Sequence, residues 1–241
     1  MKPYIKSATL FNIATVVVIT VLVKGFGFFK EVVVIGEFGL SELLDTFYIA
    51  ALIPGFINEV FLVSFKSVFV PNYVAELKTN KHFASFQATS FIVTIAMGLL
   101  FIGLAFLVTD TFLSTFFSGH TESYYSLVKT QFYYLAPCIL LWGLVSLLGG
   151  LLHIDNEFKF SSIHPILTSV SMLVCLFFFK EQLEEKVLAV GLLIGCLSEF
   201  LFLLIVCAKR KILSLSKPDF TSDNSRIMFK EFPARVSSSF L

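Results

Sequence analysis

The chain has 241 residues, 56% of them hydrophobic and 15% charged, with a formal net charge of +1. An average soluble chain carries about 25% charged residues, and the mean hydropathy here is +0.87, so the composition is that of an integral membrane protein. The near-neutral balance speaks against a nucleic-acid binder, which would show a basic patch or stripe.

In chain order, the first apolar stretch begins near Ala8 and is too long for a signal-peptide core, with no small-residue cleavage site before the next span. A spanning helix needs about 20 mostly apolar residues. That length predicts six complete spans, over roughly 8–36, 43–70 (broken near Pro54), 84–108, 124–152, 162–179 and 187–208. A seventh begins near Ile227 and runs into FPARVSSSFL at the chain end. The expectation is an all-α integral membrane fold: a six-helix transmembrane bundle over 1–208, a cytoplasmic linker over 209–226 and the start of a seventh helix over 227–241. Such an ending is expected of the N-terminal part of a longer transporter.

Positive loop charges alternate with span number. Lys2 and Lys6 precede the first span, Lys78 and Lys81 follow the second, and Lys209, Arg210, Lys211, Lys217 and Arg226 follow the sixth. By the positive-inside rule the N-terminus and the segment after the sixth span are cytoplasmic. The loop HIDNEFKF at 153–160 is less decisive.

Two apolar segments carry charges where the bilayer tolerates few. Lys24, Lys30, Glu31 and Asp45 lie between TVLV and ALIPGF, and each such charge at mid-bilayer costs about 2.5–3.5 kcal/mol. Charges bear that cost when they face water or one another, which marks them as functional candidates. Lys24 and Glu31 are seven residues apart, close to two turns of helix. Asp45 and Glu59 are fourteen apart with Lys66 seven further, a polar stripe in register with Leu52. These residues fit helices lining a hydrated cavity. In the competing reading they are unconnected: Lys66 snorkels to the interface and Glu31 merely neutralises Lys30.

Gly25 and Gly27 flank Phe26 between the lysines, and Pro54 interrupts the second span. They serve either as helix breaks that free backbone groups toward a cavity or as close-packing positions. Cys138, Cys175, Cys196 and Cys207 lie in apolar runs without a C-x-x-C pair and read as small buried hydrophobes. His153 and His164 have no clustered ligands, so no metal, cofactor or catalytic site is assigned.

The stretch from Lys24 to Tyr73 resembles the MurJ (MviN) family of the multidrug/oligosaccharidyl-lipid/polysaccharide exporter (MOP) superfamily. The resemblance is carried by KGFGFFKE, FGLSELLDTFYIA, the I-P pair and FVPNY. LAPCILL through LLHIDNEFKFSSIHPIL is similar to the family's fourth and fifth helices, and FPARVSSSFL to the opening of its seventh. The resemblance covers nearly the whole chain but only the first half of a family member of about fourteen helices. It implies the N-terminal lobe of a flippase in the bacterial inner membrane, working by alternating access around a cationic cavity. The cargo implied is an undecaprenyl-pyrophosphate-linked cell-wall precursor, lipid II. Implied partners are that polyprenyl-linked glycan, membrane lipids and a C-terminal lobe. The coupling ion, or use of membrane potential, stays unassigned. Lys24 and Lys30 fall where the family has arginines, which implies pyrophosphate contact, and Asp45 falls on the family aspartate, which implies gating. The chain departs from the family in its lysines, which cannot grip phosphate bidentately. It also has Asn58 and Glu59 in place of an arginine pair. A flippase for another polyprenyl-linked polysaccharide unit fits as well. An ion-coupled drug exporter of the same superfamily, a metal-dependent transferase using Asp155 and Glu157, and a non-transporting scaffold lobe are the other readings.

Overall fold

The computed structural model describes residues 3–79 and 83–239; Lys2, Lys81 and Leu241 lie outside them, as does the Lys6 side chain. Nine α-helices are present among the described residues: α1 (Pro3–Phe38), α2 (Glu42–Ile57), α3 (Val63–Thr79), α4 (Phe83–Phe116), α5 (Glu122–Ile154), α6 (Phe158–Ile163), α7 (Ile166–Leu183), α8 (Val187–Lys209) and α9 (Asp223–Ser238). A π-helical turn, Asn58–Leu62, joins α2 to α3, and a 3₁₀ turn, Glu184–Lys186, joins α7 to α8. No strand occurs among these residues. The protein is an all-α multi-pass membrane protein.

Among the described residues five continuous helical stretches are long and apolar enough to cross a membrane: Ile13–Phe38, Glu42–Lys78, Phe83–Phe116, Glu122–Ile154 and Phe158–Lys209. The last folds back at Glu184–Lys186, so α7 and α8 pack against each other as a hairpin. Local chemistry sets the turns. Gly39 adopts φ +58°, where a side chain would be strained, and Ser41 then caps α2 by accepting from the Leu44 amide. Thr121 caps α5 in the same way through Tyr124.

Several boundaries differ from those the sequence predicts. The third span continues to Phe116 because its polar residues are satisfied within the helix or nearby: Thr109 bonds the Ala105 carbonyl and Asp110 pairs with Lys129 at 2.8 Å. The second runs through Pro71 to Thr79. The fifth starts as the short α6 and breaks at His164–Pro165, where the proline has no N–H to continue the helical hydrogen bonding. The helix continues through Gly25 and Gly27 in α1 and through Pro54 in α2; the irregular turn begins four residues after Pro54, at Asn58.

Helix α5 is the centre of the bundle, packed by α2, α3, α4 and α8, and two-thirds of its apolar window is buried (67%). Helix α1 is at the other extreme, with 6% of its window buried, leaning mainly on α6 and α7. Lipid tails are as apolar as leucine, so helix association depends on close packing and polar contacts rather than on expelling water. The packing is tight where small residues meet. A Cβ on Gly98 would sit 2.8 Å from a Leu140 methyl, and one on Gly195 would sit 2.6 Å from Thr168 Cα. Hydroxyls in the interior turn back onto the carbonyl four residues earlier, as Ser64, Thr89, Ser90 and Thr94 do.

The segment after α8 is stitched along the start of α4. The Ser214 amide donates to Gln87 Oε1 (2.6 Å), the Asp219 amide to Thr89 Oγ1 (2.9 Å), and Ser85 Oγ to the Lys217 carbonyl (2.6 Å). Helix α9 then lies along α3, with Met228 wholly buried, Phe232 edge-on to Phe65 and the Ser239 hydroxyl 2.7 Å from that of Ser64.

Candidate transport face

Helices α1 and α2 carry the ionisable residues singled out by the sequence, and the structure divides them into three environments. Lys24 is exposed, among the exposed apolar side chains Val21, Leu22 and Phe28. It makes no hydrogen bond or ion pair among the described residues.

Lys30 is different. Its side chain is 14% exposed and points toward α7, with Nζ 3.9 Å from Met172 Sδ. It pairs with Glu31 at 2.5 Å, and the other Glu31 oxygen accepts the Tyr48 hydroxyl at 2.8 Å. This Lys30–Glu31–Tyr48 chain ties α1 to α2, two helices that otherwise touch little. The local ion pair that the sequence allowed is present, extended by a tyrosine that sequence spacing did not indicate.

Asp45 and Tyr48 lie one turn apart at the start of α2. Both line a cavity of about 650 Å³ between the end of α1, the start of α2 and the α4–α5 turn. Glu42, His120 and Tyr124 complete its polar lining. The Tyr124 hydroxyl donates to Asp45 Oδ2, and the His120 ring stacks on Tyr124 at 4.0 Å between centroids. An exposed carboxylate is thus anchored to a buried residue of the central helix.

The predicted stripe Asp45–Leu52–Glu59–Lys66 holds only in part. Asp45, Leu52 and Glu59 are exposed, whereas Lys66 is half-buried, with Nζ 3.9 Å from where a Gly149 Cβ would stand. The π-turn accounts for the difference. It inserts an extra residue into its turn, and at 3.6 residues per turn that rotates the following helix by about 100°. Glu59 sits in this turn and accepts the Asn58 amide at 3.3 Å. Asp155 and Glu157 both contact Arg210 at the surface. Among the described residues no group of three His, Cys, Asp or Glu side chains is placed to hold a metal ion.

Sequence reading missed two buried ionisable residues, Glu76 of α3 and, in the apolar run of α8, Glu199. Glu199 is 5% exposed and bonded by Thr168 and His164. The signal was available: CLSEFLFLLIV places a carboxylate in an apolar span, as Lys24 and Asp45 are placed in theirs.

The family model described as lipid II flippase MurJ matches residues 34–240. The chain belongs to the MurJ family. The match takes in Asp45, Glu59 and Glu199 and begins just after Lys24, Lys30 and Glu31. Similar MurJ proteins include that of Vibrio cholerae, named a probable lipid II flippase, 28% identical over 208 residues, 80% of this chain and 40% of that one. The probable lipid II flippase of Buchnera aphidicola from Schizaphis graminum is 27% identical over 189 residues, 75% of this chain and 36% of that one. The lipid II flippase MurJ of Thermosipho africanus is 25% identical over 207 residues, 85% of this chain and 42% of that one. The chain therefore spans less than half the length of these MurJ relatives.

Proposed function

We propose that this chain acts as a lobe of a flippase that moves an undecaprenyl-pyrophosphate-linked, lipid II-like precursor across the bacterial inner membrane by alternating access. On this reading it is a transporter rather than an enzyme, with a cytoplasmic N-terminus. Residues 1–208 form the lobe, 209–226 the linker and 227–241 the opening of a seventh span, and a C-terminal lobe completes the pathway.

The observation that carries the reading is Lys24, an exposed ammonium without a partner among the described residues, on an apolar membrane helix in a chain of the MurJ family. A diphosphate crossing the bilayer needs cations along its path. Lys24 is available at once, and Lys30 becomes available if the diphosphate displaces Glu31. Glu31 then keeps its Tyr48 hydrogen bond, so the exchange leaves no carboxylate without a donor. Asp45, held by Tyr124 at the outer cavity, is placed to couple opening of that end to the position of α2 relative to α5.

Binding to the purified chain in lipid nanodiscs tests this. A polyprenyl diphosphate carrying the glycan is expected to bind at least tenfold tighter than the corresponding monophosphate. Lys24→Ala is expected to remove most of that preference. Equal affinity for the two lipids, or a preference untouched by Lys24→Ala, refutes the assignment.

A further inference from the structure

A second set of ionisable side chains lies inside the bundle and has no part in the transport face. Glu199 Oε1 accepts the Thr168 hydroxyl at 2.5 Å, and Oε2 is 3.1 Å from His164 Nδ1. His164 ends α6, and Thr168 is in the first turn of α7, so the carboxylate of α8 bridges the break between them. We propose that Glu199, His164 and Thr168 form an intramembrane proton-binding site, whose occupancy sets how the α6–α7 break packs on α8.

For a carboxylate that is 5% exposed, the bond from a neutral hydroxyl is by itself poor compensation for lost hydration. The imidazole supplies what is missing, because a proton shared between His164 and Glu199 cancels the negative charge. When that proton leaves, the carboxylate must draw in water or a cation. The helices leave no slack for either, since a Cβ on Gly195 would meet Thr168 Cα at 2.6 Å and one on Gly191 would meet Met172 Cα at 3.0 Å. Deprotonation therefore moves α7 against α8. Helix α7 carries the movement to α1, where Ser169 faces Gly27 and Met172 faces Lys30.

The other titratable or charged groups on the packed elements do not replace His164. Cys196 on α8 and Cys138 on α5 are buried thiols. His153 on α5 and Lys66 on α3 lie within electrostatic reach of one another. Lys159 on α6 is exposed, Asp155 and Glu157 are held by Arg210, Lys24 on α1 is exposed, and Lys30 is paired with Glu31. Hard metal cations favour all-oxygen shells, and an imidazole nitrogen in the set favours the proton.

The chain carries its own reporter. Trp142, the single tryptophan, lies on α5 beside Cys196 of α8, one turn from Glu199. Tryptophan emission of the purified chain in nanodiscs is titrated between about pH 5 and pH 8, the range in which histidines change charge. One single-proton transition is expected in the native chain. Glu199→Gln, which keeps an acceptor for Thr168, and His164→Gln are each expected to remove it, whereas His120→Gln and His153→Gln retain it. Circular dichroism and gel filtration establish that the variants are folded; should Glu199→Gln misfold, His164→Gln carries the test. A flat native titration, a transition that survives in the folded variants, or a change driven by sodium at constant pH and not by pH overturns the proposal. No lipid substrate enters the measurement, so its failure leaves the flippase reading standing and failure of lipid binding leaves this site standing.

Discussion

Tyr124, buried in the first turn of α5, donates its hydroxyl to the exposed carboxylate of Asp45 in the first turn of α2. The bond crosses from the most buried helix of the bundle to the cavity at the start of α2.

Tyr124→Phe removes the donor and keeps the ring that stacks on His120. Hydrogen bonds to charged groups contribute about 1.5–3 kcal/mol, and the exposure of Asp45 places this one toward the lower end. Thermal unfolding in detergent should show a lowered Tm for Tyr124→Phe and for Asp45→Asn, with the double variant little worse than either. Strict additivity of the two losses would show that the residues are not coupled.

Gly195→Ala and Gly25→Ala should behave as opposites. The first drives a methyl to 2.6 Å from the Thr168 backbone, whereas nothing lies within 4 Å of the second. Overpacking costs about 1–3 kcal/mol, so Gly195→Ala lowers the unfolding temperature and Gly25→Ala does not. If Gly25 serves as a hinge, transport falls in Gly25→Ala while stability holds; unchanged transport assigns Gly25 to architecture.

Lys24→Ala and Lys30→Ala separate binding from structure. Lys24 has no partner among the described residues, so its removal leaves thermal stability unchanged while weakening diphosphate-lipid binding. Lys30 is mostly buried and holds Glu31 at 2.5 Å. Lys30→Ala should cost up to about 1 kcal/mol by removing the ion pair, since the half-exposed Glu31 keeps its Tyr48 donor. Equal stability losses in the two variants would contradict this division.

Gln87→Leu should release the segment after α8. Gln87 accepts from the Ser214 amide and donates to the Ile212 carbonyl and the Tyr73 hydroxyl. Limited proteolysis is expected to cut within 211–222 several-fold faster in Gln87→Leu than in the native chain, while α8 stays protected. An unchanged cutting rate would mean that α9 packing on α3 alone retains the segment.

The helical membrane fold was legible because length and apolarity are local properties: about 20 apolar residues span a bilayer whatever they pack against. Lys24, Lys30, Glu31 and Asp45 were legible for the same reason, since a charge in an apolar run is visible without a partner. Glu199 carried that signal too, but its partners His164 and Thr168 lie 35 and 31 residues away on other helices, so no spacing rule joins them. The Asp45–Glu59–Lys66 stripe assumed a constant 3.6-residue period, and the π-turn at Asn58–Leu62 breaks that period.

By itself the sequence determined that this protein lives in a membrane and which runs are long and apolar enough to cross it, because both follow from transfer energies summed along the chain. Only the tertiary structure decided which charges are free and which are tied: Lys24 open, Lys30 to Glu31 and Tyr48, Asp45 to Tyr124, Glu199 to His164 and Thr168. The physical reason is that a buried charge is satisfied through space, by whatever donor the helix crossings bring within 3 Å or so.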